Sequence, residues 1–176
     1  MRLFVALNFE EKIRNRLYLG AQELRRHSVQ ARISHKDNLH LTLAFIGETN
    51  CTEQAKEALD SIKEKAFELN LGGYGEFFRR EGSICYVHAQ GGKTLQNLAT
   101  AVRDSLTSRG FEIDRKPFRA HITLARQFIP TRDFDEEKIN ELIGSHKVLV
   151  SAISLMKSER INGRLTYTEI HRKTLI

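Results

Sequence analysis

Only two cysteines occur in 176 residues, Cys51 and Cys85, and they lie in different segments, which excludes a disulfide framework and a spaced zinc motif. No stretch approaches the roughly 18 apolar residues of a membrane-spanning helix, so none is expected. The opening "MRLFVALNFEEK" turns acidic too early for a secretory signal, and a cytoplasmic address is expected. No linker, low-complexity tract or charge block divides the chain, which predicts one domain over residues 1–176. The Gly-Gly-x-Gly of "NLGGYGEFF" lacks both the Lys-Ser/Thr of a nucleotide-binding loop and the strand-to-helix context, and reads as a turn entering a strand.

What is present is enough apolar material for a core, at 40% of residues, and a net charge of +6 with a pI near 9.5. That excess of Lys and Arg favours an anionic partner such as RNA or a phosphate ester. The hydrophobic periodicity predicts a strand over 2–9, a helix with Ile13, Leu17 and Leu24 inward, a short strand over 31–34, a turn at "HKDN" and a strand over 39–47. A helix is expected from Thr52 to Leu69, with Ala55, Leu59, Ile62 and Ala66 on its apolar stripe. A strand follows over 83–90, then a helix with Leu95, Leu98, Val102 and Leu106 inward, stopped at Gly110. The remainder reads as the strand "FRAHITLAR", a short helix near 135–143, and the strands "KVLVSAISLMKS" and "RLTYTEIHRKTL".

One pattern recurs. "HLTLAF" at 40–45 returns as "HITLAR" at 121–126, 81 residues later. With 7 His and 11 Thr in the chain, about 0.4 His-x-Thr triplets arise by chance, and an aliphatic residue inside each plus Leu after it cuts that expectation by about another factor of forty per copy. The order around both copies is similar: helix, strand with the motif, connection, helix. This predicts an α+β fold of two pseudo-symmetric lobes of mainly antiparallel sheet, helices outside, with the motifs facing across a central cleft.

Along a strand, residues i and i+2 share a face, so His40 lies beside Thr42 and His121 beside Thr123, while Leu41, Leu43, Ile122 and Leu124 anchor the opposite face in the core. Two opposed imidazoles titrating near pH 6.5 can supply one base and one acid to a single reaction. Stiff threonine hydroxyls can hold a phosphoryl oxygen. The set suits in-line attack of water on a phosphodiester. Thr is not a usual zinc ligand, and no carboxylate or third His stands at ligand spacing nearby, so no metal and no cofactor is expected.

On "RLFVAL", "NLHLTLAFIGE", "FRAHITLAR" and "ISLMKSERINGRLTYTEI", the chain resembles the two-histidine phosphoesterase superfamily, most closely its RNA 2′,3′-cyclic phosphodiesterase branch, historically called 2′-5′ RNA ligases. The resemblance implies the bilobal fold and hydrolysis of a terminal 2′,3′-cyclic phosphate of RNA to a 2′-phosphate. It makes His40 the proton donor to the leaving 3′ oxygen, His121 the proton acceptor from water, and Thr42 and Thr123 the phosphate-binding pair. Ala120 stands where proline commonly precedes the second motif, and no tryptophan precedes the first. Arg126 is a candidate substrate contact from the end of its strand; Arg32, Arg119 and Tyr167 have similar standing. His27, His35, His88, His146 and His171 lack the motif and are expected at the surface or in packing roles. A non-catalytic RNA-binding module of the same fold, and 2′-5′ ligation of RNA ends as the reverse reaction, are the alternatives. A monomer is expected.

Overall fold

The computed structural model describes all 176 residues. In chain order the elements are β1 (Arg2–Asn8), α1 (Glu11–Arg26), β2 (Ser28–Ile33), a 3₁₀ turn (Lys36–Asn38), β3 (His40–Glu48), α2 (Thr52–Asp60), β4 (Phe67–Phe77), β5 (Ser83–Gln90), α3 (Gly92–Ser108), β6 (His121–Pro130), α4 (Glu136–Ile143), β7 (Ser145–Val150), β8 (Ala152–Ile161) and β9 (Arg164–Thr174). This is an α+β fold with one antiparallel sheet in the order β7-β4-β5-β6-β3-β1-β8-β9, and β2 attached to β6.

The sheet divides where the two motif strands meet. β3 and β6 share a single pair in register, Leu41 with Ile122, whereas their outer neighbours are paired over long ladders. Helices α1 and α4 pack over the β6 half and α2 and α3 over the β3 half. Each motif strand is therefore roofed by the helix that precedes its partner strand and, beside it, the helix that follows the strand itself, which is the exchange a two-fold relation between the lobes requires. Leu41, Leu43, Ile122 and Leu124 are buried beneath these helices as the alternation predicts, and Leu17, Leu24, Leu98 and Val102 come down on them.

Three expectations give way. The helix expected to run to Leu69 stops at Asp60; Ile62 is still buried, but Ala66 is exposed and Phe67 begins β4. The alternation Phe67-Glu68-Leu69-Asn70-Leu71 pairs with β7 and β5, and this strand period overrides a helical stripe that is correct only as far as Ile62. The glycine-rich stretch lies inside β4, where Gly72 and Gly73, at φ 156° and 83°, accommodate a bulge against β5. "KVLVSAISLMKS" breaks at Ser151 into β7, which pairs with β4, and β8, which pairs with β1 and β9, so the segment crosses from one half of the sheet to the other. No helix is long and apolar enough to cross a membrane.

Candidate active site

Antiparallel pairing about Leu41–Ile122 sets His40 opposite Thr123 and Thr42 opposite His121, all four on one face and all partly buried. Both imidazoles are held alike. His40 Nδ1 lies 2.6 Å from the carbonyl of Asn38 and His121 Nδ1 lies 2.7 Å from the carbonyl of Arg119, two residues upstream in each case. A carbonyl only accepts, so each Nδ1 carries its proton and each Nε2 is the nitrogen free for chemistry. His40 Nε2 lies 2.9 Å from Thr42 Oγ1, whose hydroxyl donates to the neutral ring.

Each ring sits against an aromatic pair. Phe4 and Tyr167 lie 4.9 and 5.2 Å from His40. Phe77 and Tyr86 lie 5.2 and 5.5 Å from His121. Tyr86 reaches this position across Gly75, where any side chain would stand about 2.6 Å from its ring. Burial lowers the pKa of His40 to about 4, against the Asn38 carbonyl, which raises it; the positive charges of Arg126 and His121 lower it further. His121 is also lowered, chiefly by burial and additionally by Arg126, with the Arg119 carbonyl opposing. In the free protein both rings are neutral at pH 7.

Strict alternation would bury position 126, yet Arg126 acts on both histidines. The cause is a bulge in each motif. Against β1, Val5 faces Ala44 and Ala6 faces Thr42, leaving Leu43 as the extra residue. Against β5, Cys85 faces Ala125 and Tyr86 faces Thr123, leaving Leu124 extra. The adjacent pairs Leu43-Ala44 and Leu124-Ala125 are buried, and the residue five past each histidine, Phe45 or Arg126, returns to the cleft face. Arg126 thus sits within β6, not at its end as the sequence suggested.

A cavity of about 470 Å³ opens beside Thr42 and His121, with Phe45, Phe77 and Phe118 in its walls and Arg79, Arg103, Lys116 and Arg119 among its lining. Phe45 is 59% exposed there. The irregular segment 111–120 forms one wall, held where Arg103 donates to the Lys116 carbonyl at 2.9 Å. The chain order alone did not single out Phe45, Phe77, Tyr86 or Arg103; the apolar doublet Leu-Ala in both motifs was the available signal for Phe45.

The other candidates separate. Arg32 faces Arg126 across the β2–β6 ladder. Arg119 lies over Phe77 at 5.8 Å, at the rim of the cavity, and Tyr167 packs edge-on against His40 and Phe4. His27 pairs with Glu23 and Asp133, His35 with Asp37, and His171 with Asp60, while His146 bonds the Ile143 carbonyl. His88 is exposed, and stands opposite His121 on the neighbouring strand. Both cysteines are free, and burial pushes the Cys85 thiol up to about 12. No three His, Cys, Asp or Glu side chains gather in a metal-binding group.

The family model of the 2′-5′ RNA ligase superfamily matches residues 9–162. The chain belongs to that superfamily. Relatives include the RNA 2′,3′-cyclic phosphodiesterase of Archaeoglobus fulgidus, 32% identical over 130 residues that span 72% of each chain. One from Geobacillus stearothermophilus is 33% identical over 113 residues, 61% of this chain but only 36% of that longer protein. Among solved structures, E. coli LigT complexed with 3′-AMP superimposes with a TM-score of 0.78 at 26% identity, covering 99% of this chain and 97% of its own. TT0787 of Thermus thermophilus gives 0.79 at 26% identity, covering 99% and 98%.

Proposed function

We propose that this member of the superfamily hydrolyses the 2′,3′-cyclic phosphate at an RNA 3′ end to a 2′-phosphate, without a metal. The observation that carries the reading is the pair of imidazoles held in the same tautomer, each with Nε2 left unprotonated, and each opposite the other's threonine. Relatives named RNA 2′,3′-cyclic phosphodiesterase support the same reaction.

Water enters from the open side, where His121 lines the cavity. Its oxygen attacks phosphorus while His121 Nε2 takes a proton, and the P–O3′ bond breaks as His40 Nε2 delivers a proton to O3′. The phosphate stays on O2′. His40 is neutral in the free protein, so it becomes the acid only when the phosphodiester anion occupies the site and favours the imidazolium. The Phe4–Tyr167 side shelters that proton from bulk water. Thr123, Thr42 and Arg126 hold the phosphoryl oxygens as charge builds, and exposed Phe45 offers its ring face to the terminal base. On this reading the chain acts as one bilobal domain over 1–176 and as a monomer, because one chain supplies every group named.

The test is incubation with a short RNA bearing a 2′,3′-cyclic phosphate and identification of the hydroxyl that keeps the phosphate. A 2′-phosphate produced undiminished in excess chelator is the expected result; a 3′-phosphate, or loss of activity on chelation with recovery on adding a divalent ion, overturns the mechanism. Tight binding without turnover would favour the RNA-binding module, and joined ends would favour 2′-5′ ligation.

Three further substitutions test how the groups are held. Thr123→Ala should cost about 1.5–3 kcal/mol in kcat/KM by deleting one hydrogen bond to a charged oxygen. Thr42→Ala should cost a similar amount and also move the pH profile, because it takes away the hydroxyl bonded to His40 Nε2. Equal pH profiles for the two variants would remove Thr42 from contact with the acid. Asn38 holds His40 Nδ1 by its carbonyl while its side-chain amide donates to the Leu165 carbonyl at 2.8 Å, tying the turn to the β8–β9 hairpin. Asn38→Ala should lower kcat about tenfold on RNA, with much less loss on a nitrophenyl phosphodiester, whose leaving group needs no proton.

A further inference from the structure

Strand β2 has an unusual relation to the rest of the sheet. It pairs only with β6, off the main strand order, and none of its six residues is fully buried. What it does place is Arg32, directly opposite Arg126. Both side chains are exposed, and none of the protein's ion pairs uses either guanidinium. Like charges directly opposed across a ladder are destabilising, so a strand that adds little to the core brings an unneutralised cation beside another at the edge of the site.

The register gives this pair a place along the cleft. Because β3 and β6 run antiparallel through Leu41–Ile122, the order on the cleft face is Phe45, then Thr42 with His121, then His40 with Thr123, then Arg126 and Arg32. Phe45 and its wall of the cavity lie at one end and the two arginines at the other. A ribose with a 2′,3′-cyclic phosphate has a matching order. Its base leaves from C1′ and the rest of the RNA from C4′ through C5′, at opposite ends of the ring, while the phosphate bridges C2′ and C3′ on one side. With the base on Phe45 and O3′ toward His40, C4′ and the 5′ chain point to the arginine end.

Resting on the proposed reaction, we infer that Arg32 binds the internucleotide phosphate on the 5′ side of the terminal nucleotide, so that the enzyme selects RNA ends over mononucleoside cyclic phosphates. Arg126 serves the reacting phosphate and Arg32 the next one, which explains why two cations stand together with no carboxylate between them. A guanidinium at this distance from the histidines contributes binding without touching the reacting atoms.

The test compares uridine 2′,3′-cyclic phosphate with a trinucleotide ending in the same group, for the wild type, Arg32→Gln and Arg32→Lys. The wild type should show a higher kcat/KM on the trinucleotide. Arg32→Gln should lower that value about tenfold, through KM, and leave the mononucleoside reaction unchanged. It should also flatten the log–log salt dependence of the trinucleotide reaction by about 0.7, the loss of one phosphate contact to a single strand; Arg32→Lys should keep most of that slope. An equal fall on both substrates, or no fall on the trinucleotide, overturns the subsite while leaving the reaction standing. If the wild type cleaves neither substrate, the reading of the whole site fails and the subsite with it.

Discussion

His121→Ala and His40→Ala are each expected to lower kcat/KM on an RNA cyclic phosphate by about 10²–10⁴-fold, the usual range for a lost proton-transfer group. The double variant should lose far less than the product of the two, since both groups act on one transition state. The two differ in what rescues them. With a nitrophenyl phosphodiester the leaving group departs without a proton, so His40→Ala should recover much of its rate while His121→Ala should not, its water still lacking a base. The reverse pattern would exchange the roles of the two residues. Full activity in both variants, with normal folding, would move the site elsewhere. One difference between the rings favours the assignment given: both are backed by an aromatic pair, but His121 lines the open cavity and His40 does not.

The four motif residues were legible because a strand's period of two is simple and the motif occurs twice. His40 and Thr42, and His121 and Thr123, share a face as that period requires, and the lobes meet at the residue following each histidine, Leu41 with Ile122. What alternation could not show was the bulge. Leu43 and Leu124 each add one residue to their strand, so every position beyond them changes face, and Arg126 and Phe45 enter the cleft where strict alternation would bury them. Two adjacent buried apolar residues after each Thr are the trace a bulge leaves in sequence, and they read equally well as a buried strand. The misplaced end of α2 has a different cause. Ala55, Leu59, Ile62 and Ala66 satisfy a helical stripe, while Phe67, Leu69 and Leu71 satisfy a strand, and only pairing with β5 and β7 decides between them. Segment 111–120 has neither period. Arg103 ties it down by donating to the Lys116 carbonyl, a contact that no local pattern shows.

Arg126→Ala carries the second large effect and separates two contributions of one charge. Deleting a guanidinium that meets a phosphoryl oxygen should cost about 1.5–3 kcal/mol, roughly 10- to 150-fold in kcat/KM, as for hydrogen bonds to charged groups. The same charge also lowers the pKa of both histidines in the free protein, after the larger effect of burial. The pH dependence of kcat/KM reports the free enzyme, and the productive form carries one proton shared between two coupled imidazoles. The wild-type profile should therefore be a bell whose maximum lies below 6.5, the ordinary imidazole value, with an acid limb near 4, where His40 titrates. Removing a positive charge makes each imidazolium easier to form, so in Arg126→Ala both limbs should move to higher pH. Arg126→Lys keeps a positive charge but not the two-pronged geometry, so it should hold the limbs near their wild-type positions while still losing rate. An alanine variant that loses activity with an unmoved bell would confine Arg126 to the phosphate. A bell displaced with no loss of rate would confine it to tuning the histidines, and the bulge at Leu124 would then place a charge that the reacting phosphate does not use.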